Sequence, residues 1–171
     1  MIQVTRDLAI ESGGSALTTE AGSDQRFLVF TLAQETYAVP LLKVKEVLAP
    51  AEITPLPQAP AHFKGIMNLR GQVISVLDLR LKFKVGNGAL GSECAIIILD
   101  IENAALGVIV DSIESVLSVE AKDISPPPSM NSSLGSDFLL GVTRHEKRLV
   151  LLLKIENALN VEDFKTIREA A

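Results

Sequence analysis

The stretch CAIIILDIENAALGVIV, residues 94–110, decides the fold. Cys94 to Ile101 is a short run dominated by β-branched residues, Glu102-Asn103-Ala104 is a polar break, and Leu106 to Val110 resumes the run. Two such runs around a tight turn predict a β-hairpin. The same figure stands 69 positions earlier: Phe27-Leu28-Val29-Phe30-Thr31-Leu32, the break Ala33-Gln34-Glu35-Thr36, then Tyr37-Ala38-Val39. At this offset Leu28-Val29 meets Ile97-Ile98, Tyr37 meets Leu106, Val44 meets Ile113, and Val47-Leu48 meets Val116-Leu117. Further along the offset becomes 76, with Gly65 on Gly141, Val73-Ile74 on Leu149-Val150, and Leu79 on Ile155. An insertion in a loop produces such a change. The chain therefore holds two similar units, about residues 25–85 and 92–160.

Between these hairpins, Leu41, Leu42, Val44, Val47 and Leu48 fit helical spacing, while the charges between them fit strand alternation; we expect a helical turn and then a strand. Pro50, Pro55, Pro57 and Pro60 mark an irregular connection, because proline is excluded from helix interiors and central strands. Phe63 to Leu69 and Val73 to Leu81 read as strands meeting at Arg70-Gly71-Gln72, where Gly71 can take a positive φ. Lys84 to Ser92 reads as a loop. Each unit then carries four or five short strands, and small closed barrels remove the exposed edges that a flat sheet would leave. At the C-terminus, Ile155 and Leu159 share a face, as do Phe164, Ile167 and Val161, and Asn160 can cap a helix beginning near Val161. Residues 1–24 show no sustained periodicity and are expected to form a flexible tail.

Of the 171 residues, 47% are hydrophobic and 22% charged, the balance of a core-forming chain. The net charge of -5 argues against a nucleic-acid binder, which carries a basic stripe. The one cysteine, Cys94, adjoins an apolar run, suits a reducing compartment and reads as a small core residue. No segment is long enough to span a bilayer, and the N-terminus lacks the apolar core of a secretory signal. A cytoplasmic location without direct membrane insertion is expected.

No reaction is nominated by these residues. Gly86-Asn87-Gly88-Ala89-Leu90-Gly91 matches G-x-G-x-x-G, but a strand pattern follows where dinucleotide binding needs a helix N-terminus, so the segment reads as a loop. His62 and His145 stand apart from any cysteine or carboxylate cluster, which leaves no metal site. Asp78, Asp100 and Asp111 read as solvated residues at strand ends. With no nucleophile, base and oxyanion set, an enzyme is not expected, and no cofactor is. On the residues alone, Asn68-Leu69-Arg70-Gly71 is a hairpin turn with a solvated arginine and Val44-Lys45-Glu46-Val47 a half-buried strand.

Taken together, three pieces resemble the CheW-type chemotaxis coupling (adaptor) family. The opening Phe27–Leu32, Tyr37 and Leu42–Val47 is one. The most specific is Phe63-Lys64-Gly65-Ile66-Met67-Asn68-Leu69-Arg70-Gly71 followed by Val76–Arg80. Gly107–Asp111, Val116-Leu117 and Leu152–Glu156 complete the likeness, which covers about residues 25–165. The resemblance implies an all-β fold of two packed five-stranded SH3-like β-barrels with a short C-terminal helix, in one CheW-like domain over 25–171. Members of the family can exchange a segment between barrels. It also implies a scaffold for chemotaxis signal transduction. The partners are then the cytoplasmic hairpin tip of a chemoreceptor (a methyl-accepting chemotaxis protein) and the regulatory domain of the CheA histidine kinase, and the alternative is an array serving pilus motility or another non-flagellar output. By position, the partner-binding residues are Val44, Glu46, Asn68, Arg70 and Gly71, with Glu46 and Arg70 expected to pair. If partly exposed, such a pair adds about 0 to 1 kcal/mol. Ala38 stands where many members carry glycine, and Pro40 where an acidic residue is common.

Overall fold

The computed structural model describes residues 24–86, 88–127 and 136–170; most of the expected tail and Asn87 of the glycine-rich segment lie outside them. Ten strands run in order: β1 Gln25–Leu32, β2 Glu35–Pro40, β3 Val44–Leu48, β4 Phe63–Leu69, β5 Gln72–Asp78, β6 Ala95–Ile101, β7 Ala104–Val110, β8 Ser112–Val119, β9 Leu139–His145 and β10 Arg148–Leu153. A 3-10 turn, Leu41–Lys43, leads into β3 as expected, and three short helices follow strands: α1 Leu79–Phe83, α2 Ile155–Ala158 and α3 Val161–Ala170.

The strands form two five-stranded sheets, ordered β3-β6-β7-β5-β4 and β8-β1-β2-β10-β9. Neither sheet is one half of the sequence. Each takes three strands from one repeat and the opening hairpin of the other, and shifting every strand number by five converts one order into the other. Thr54, beyond β3, bridges Ile66 in β4, and Ser125, beyond β8, bridges Val142 in β9. These bridges close each sheet into a barrel, with N–H···O distances of 2.8 Å in the first and 2.8 and 2.9 Å in the second.

The offsets read from the sequence reappear as geometry. All four hairpins turn on two residues with positive φ: Ala33-Gln34, Glu102-Asn103, Arg70-Gly71 and Glu146-Lys147. The second turn lies 69 positions after the first, and the fourth 76 after the third. Two positive φ values match the twist of the flanking strands, and only one of these turns uses glycine. Gly65 and Gly141, also equivalent, sit under the closing bridges. A Cβ on Gly65 would lie 2.0 Å from the Thr54 carbonyl oxygen, and one on Gly141 2.6 Å from that of Ser125.

Three apolar clusters follow from strand alternation. One barrel is filled by Leu48, Met67, Ile74, Val76, Ile96, Ile98 and Ile109, the other by Phe27, Val29, Ala38, Val119, Val150 and Leu152. The largest lies between the barrels and draws on both, including Leu28, Phe30, Tyr37, Leu77, Leu99, Leu106 and Val108. Phe30, Tyr37, Phe83 and Phe138 stack in a column there, with successive ring centroids 6.3, 6.2 and 5.8 Å apart. Burial of this seam makes the two barrels one unit.

Two ion pairs hold the crossovers between barrels. Arg80 of α1 meets Asp111, between β7 and β8, at 3.3 Å. Glu156 of α2 meets Lys43, between β2 and β3, at 2.9 Å. Arg80 and Glu156 are equivalent at the offset of 76, so the two latches have opposite polarity. Asp78 departs from the expectation of a solvated carboxylate: it is 1% exposed, caps α1 by accepting from the Arg80 N–H at 2.9 Å, and pairs with the buried Arg80 guanidinium at 3.3 Å. Cys94 is half-buried at the entry to β6.

The C-terminal helix begins where its cap predicted. Asp163 N–H donates to Asn160 Oδ1 at 2.9 Å, and Asn160 N–H donates to Asp163 Oδ2 at 3.0 Å, a reciprocal cap. Ile167 is buried and Phe164 packs on the seam, but Val161, expected on the same face, is 85% exposed. At position N1 it precedes the first turn that touches the sheet.

Candidate docking site

Four of the five predicted site residues meet at one end of the first barrel, and a register fault in β3 brings Glu46 there. Strict alternation would put Glu46 on the face of Val44. Instead, pairing with β6 runs Val44 to Leu99 and then Glu46 to Ile98, leaving Lys45 as a bulge. Side chains beyond a bulge change face. Val44 therefore points into the seam, while Glu46 shares the barrel-side face of Leu48.

Glu46 reaches the barrel mouth beneath the β4–β5 turn. Arg70 Nη1 donates to Oε1 and Nη2 to Oε2 of Glu46, both at 2.9 Å. This is the two-pronged geometry that guanidinium and carboxylate favour. The Glu46 side chain is 8% exposed and that of Arg70 52%, so the pair is partly exposed and the carboxylate is its buried member. The turn is held by Gly71 N–H donating to Asn68 Oδ1 at 2.8 Å. With φ of 52° at Arg70 and 85° at Gly71, the backbone aims the guanidinium back across the mouth.

Four of the five predicted residues, Glu46, Asn68, Arg70 and Gly71, thus form one connected group. Val44 does not share its surface: it is 3% exposed and supports β3 from the seam. Sequence reasoning missed Leu42, which is 99% exposed on the turn just before β3. In a 3-10 turn successive side chains lie about 120° apart, so Leu41 packs against the seam while its neighbour Leu42 faces out.

A second network ties the connection after β3 to the C-terminus. The Asp163 side chain is fully buried and takes His62 Nε2 on one oxygen at 2.5 Å and Lys82 Nζ on the other at 2.6 Å. Burial pushes the Asp163 carboxyl up, but Lys82, the Asn160 N–H and His62 outweigh it and hold the carboxyl below its ordinary value. No sequence signal joins residues 101 positions apart. Among the described residues no group of His, Cys, Asp or Glu could hold a metal ion, and no helix is long and apolar enough to cross a membrane.

Residues 26–163 match the CheW-like domain family. The chain is 32% identical over 147 residues to "Chemotaxis protein CheW" of Klebsiella aerogenes, covering 86% of this chain and 89% of that one. It is 28% identical over 156 residues to "Protein FrzA" of Myxococcus xanthus, covering 91% and 92%. Among solved structures, the scaffolding protein TtCheW from Thermoanaerobacter tengcongensis superposes with a TM-score of 0.76 at 29% identity, over 84% of this chain and 92% of that one. With most of its length matched and the same two-sheet architecture, this chain belongs to the CheW-like domain family.

Proposed function

We propose that this protein is a non-catalytic scaffold that couples the cytoplasmic tips of chemoreceptors to a CheA-type histidine kinase in a cytoplasmic chemosensory array. The observation that carries the reading is the pre-formed Glu46–Arg70 pair at a barrel mouth, in a chain whose relatives bear chemotaxis names. A fixed, half-exposed charge pair on rigid strands selects a partner without binding it tightly by itself, since electrostatic complementarity governs specificity more than affinity. Asn68 and Gly71 hold the turn, Val44 backs the strand, and the exposed Leu42 supplies apolar contact beside it. The receptor hairpin presents a helical face that such a surface can take. The regulatory domain of the kinase docks elsewhere on the molecule, and repetition across an array raises the effective concentration of modest contacts.

The test is capture of a receptor signalling tip by wild type, Glu46→Arg, Arg70→Glu and the double exchange. Each single reversal places like charges together and should lose the receptor; the exchange restores the pair and should recover binding. An exchange no better than the singles would remove the charge pair from recognition. A second reading keeps the scaffold and changes the pathway to a non-flagellar array, with which the similarity to "Protein FrzA" is compatible. Capture with receptor and kinase pairs from each pathway separates the two.

A further inference from the structure

The exchange relation between barrels states what each surface of one should look like on the other, and one surface breaks it. α3 packs on β5 and β7 of the first sheet, with Phe164 and Ile167 on the seam. The equivalent strands of the second sheet are β10 and β2. The segment equivalent to α3 is residues 85–94, 76 positions earlier, and it contains the glycine-rich run. Both segments pass the same landmark: a Cβ on Gly86 would lie 3.2 Å from Ala33 Cβ, while Arg168 of α3 lies 3.7 Å from Glu102, and Ala33 and Glu102 are equivalent turn residues. The loop touches the same landmark as α3 but forms no helix among its described residues. β2 is buried all the same, but the outer part of β10 has less cover than its counterpart in β5. Ser75 in β5 is fully buried, whereas its counterpart Leu151 is only half-buried, and Leu149 is 59% exposed against 37% for its counterpart Val73.

We propose that this open face of β9 and β10 is a docking site for an amphipathic helix with acidic flanks from a partner chain, seated as α3 is on the other barrel. Register puts Leu149 opposite Arg144 and Leu151 opposite Val142, so these four side chains share one face, and Leu140, 40% exposed, extends it at the bulge. On a chain of net charge -5 two cations stand on this face and its border: Arg144 and Lys147 are exposed, and none of the ion pairs among the described residues involves either. Two carboxylates stand near this face: Glu35, which accepts the Tyr37 hydroxyl at 2.8 Å, and Glu146, 4.0 Å from His145. Strand addition is not the mode, because Val142 on the outer edge of β9 is already paired with Ser125; the face remains, and a helix is what this fold lays on it. Arg148 takes no part, being paired to Glu114 at 2.9 Å. This site is separate from the Glu46–Arg70 mouth and does not depend on the receptor reading.

The test uses the full chain with labelled Leu and Val methyl groups. The probe is a stapled helical peptide of about five turns, with leucine at i, i+3, i+4 and i+7 and glutamate on its flanks. A second peptide carries lysine in place of glutamate. Saturable methyl shifts centred on Leu149, Leu151 and Val142 are expected with the glutamate peptide only. Affinity should fall at least tenfold in Arg144→Glu/Lys147→Glu and in Leu149→Glu, and hold in Arg70→Glu. These substitutions are at exposed positions, and the methyl spectrum itself reports an intact fold. Shifts centred elsewhere, no saturable shift, or equal response to the lysine peptide would overturn the proposal. So would shifts of the same methyls that grow with protein concentration alone, which would give the face to a second copy of the chain.

Discussion

Replacing either partner of the Glu46–Arg70 pair with methionine should not cost the same. Removing Arg70 leaves a carboxylate whose side chain is 8% exposed at the barrel mouth, with two 2.9 Å charge-assisted hydrogen bonds lost. An unsatisfied buried charged group costs about 1–3 kcal/mol or more, and breaking a fully buried pair about 3–5. Glu46 sits at a mouth that water enters once the guanidinium leaves, so the lower range applies: about 2 kcal/mol for Arg70→Met. Removing Glu46 instead leaves a guanidinium whose side chain is already 52% exposed to water, while methionine keeps the barrel-side packing; the expected loss is below about 1 kcal/mol. The double substitution leaves no buried charge and should recover most of what Arg70→Met loses, by about 1 kcal/mol or more. Urea unfolding of the four proteins measures each difference. A shift of about 2 kcal/mol corresponds to about 4–8 °C in Tm for a chain of this size. Equal losses in the two single variants, or a double variant less stable than Arg70→Met, would refute the claim that Glu46 is the desolvated member.

Gly65→Ala should destabilise by about 3 kcal/mol or more, since its Cβ would meet the Thr54 carbonyl at 2.0 Å at a φ of 146°, breaking the barrel closure. Gly141→Ala should cost less, because its Cβ would stand 2.6 Å rather than 2.0 Å from the bridging carbonyl oxygen, its other close obstacle is the Ile124 side chain at 2.5 Å, which can move, and its φ is not positive; urea unfolding ranks the two, and the reverse order would contradict the closure geometry. Arg80→Met strands the buried Asp78 as well as Asp111 and should cost about 3–5 kcal/mol. Lys43→Met, whose side chain is 42% exposed, should cost below about 1. The Asp163 carboxyl titrates below its ordinary value in the folded chain. Its contribution is then fully present above about pH 4, the unfolded range, and is lost as pH falls through its lower folded value. Asp163→Asn should show a shallower loss of stability than wild type between about pH 4 and pH 2, followed by circular dichroism at fixed urea.

Local patterns carried far into this fold. Runs such as Ala95–Ile101 name their own strands, and the offsets of 69 and 76 locate all four hairpin turns, because equivalent chain segments keep their turn positions even where the turn residues differ. Ala33-Gln34 and Glu146-Lys147 hold positive φ without glycine, so composition alone could not mark their conformation. The pairing of β2 with β10 joins residues more than a hundred apart, and nothing local encodes it; the exchange of hairpins between barrels is legible only through the family resemblance, which implies that a segment can be exchanged. The same limit hid the contact of His62 with Asp163. At the docking site, Glu46 and Arg70 could be named but not placed, since one bulge at Lys45 decides whether Glu46 faces the seam or the barrel mouth.

The scaffold reading is tested most directly by analytical ultracentrifugation of this chain with a receptor signalling tip and a kinase regulatory domain, each alone and both together. A coupling protein with separate docking faces predicts one ternary species containing all three components, with the receptor lost and the kinase domain retained in Arg70→Glu. Mutually exclusive binding of the two partners, or failure to bind either, would contradict it.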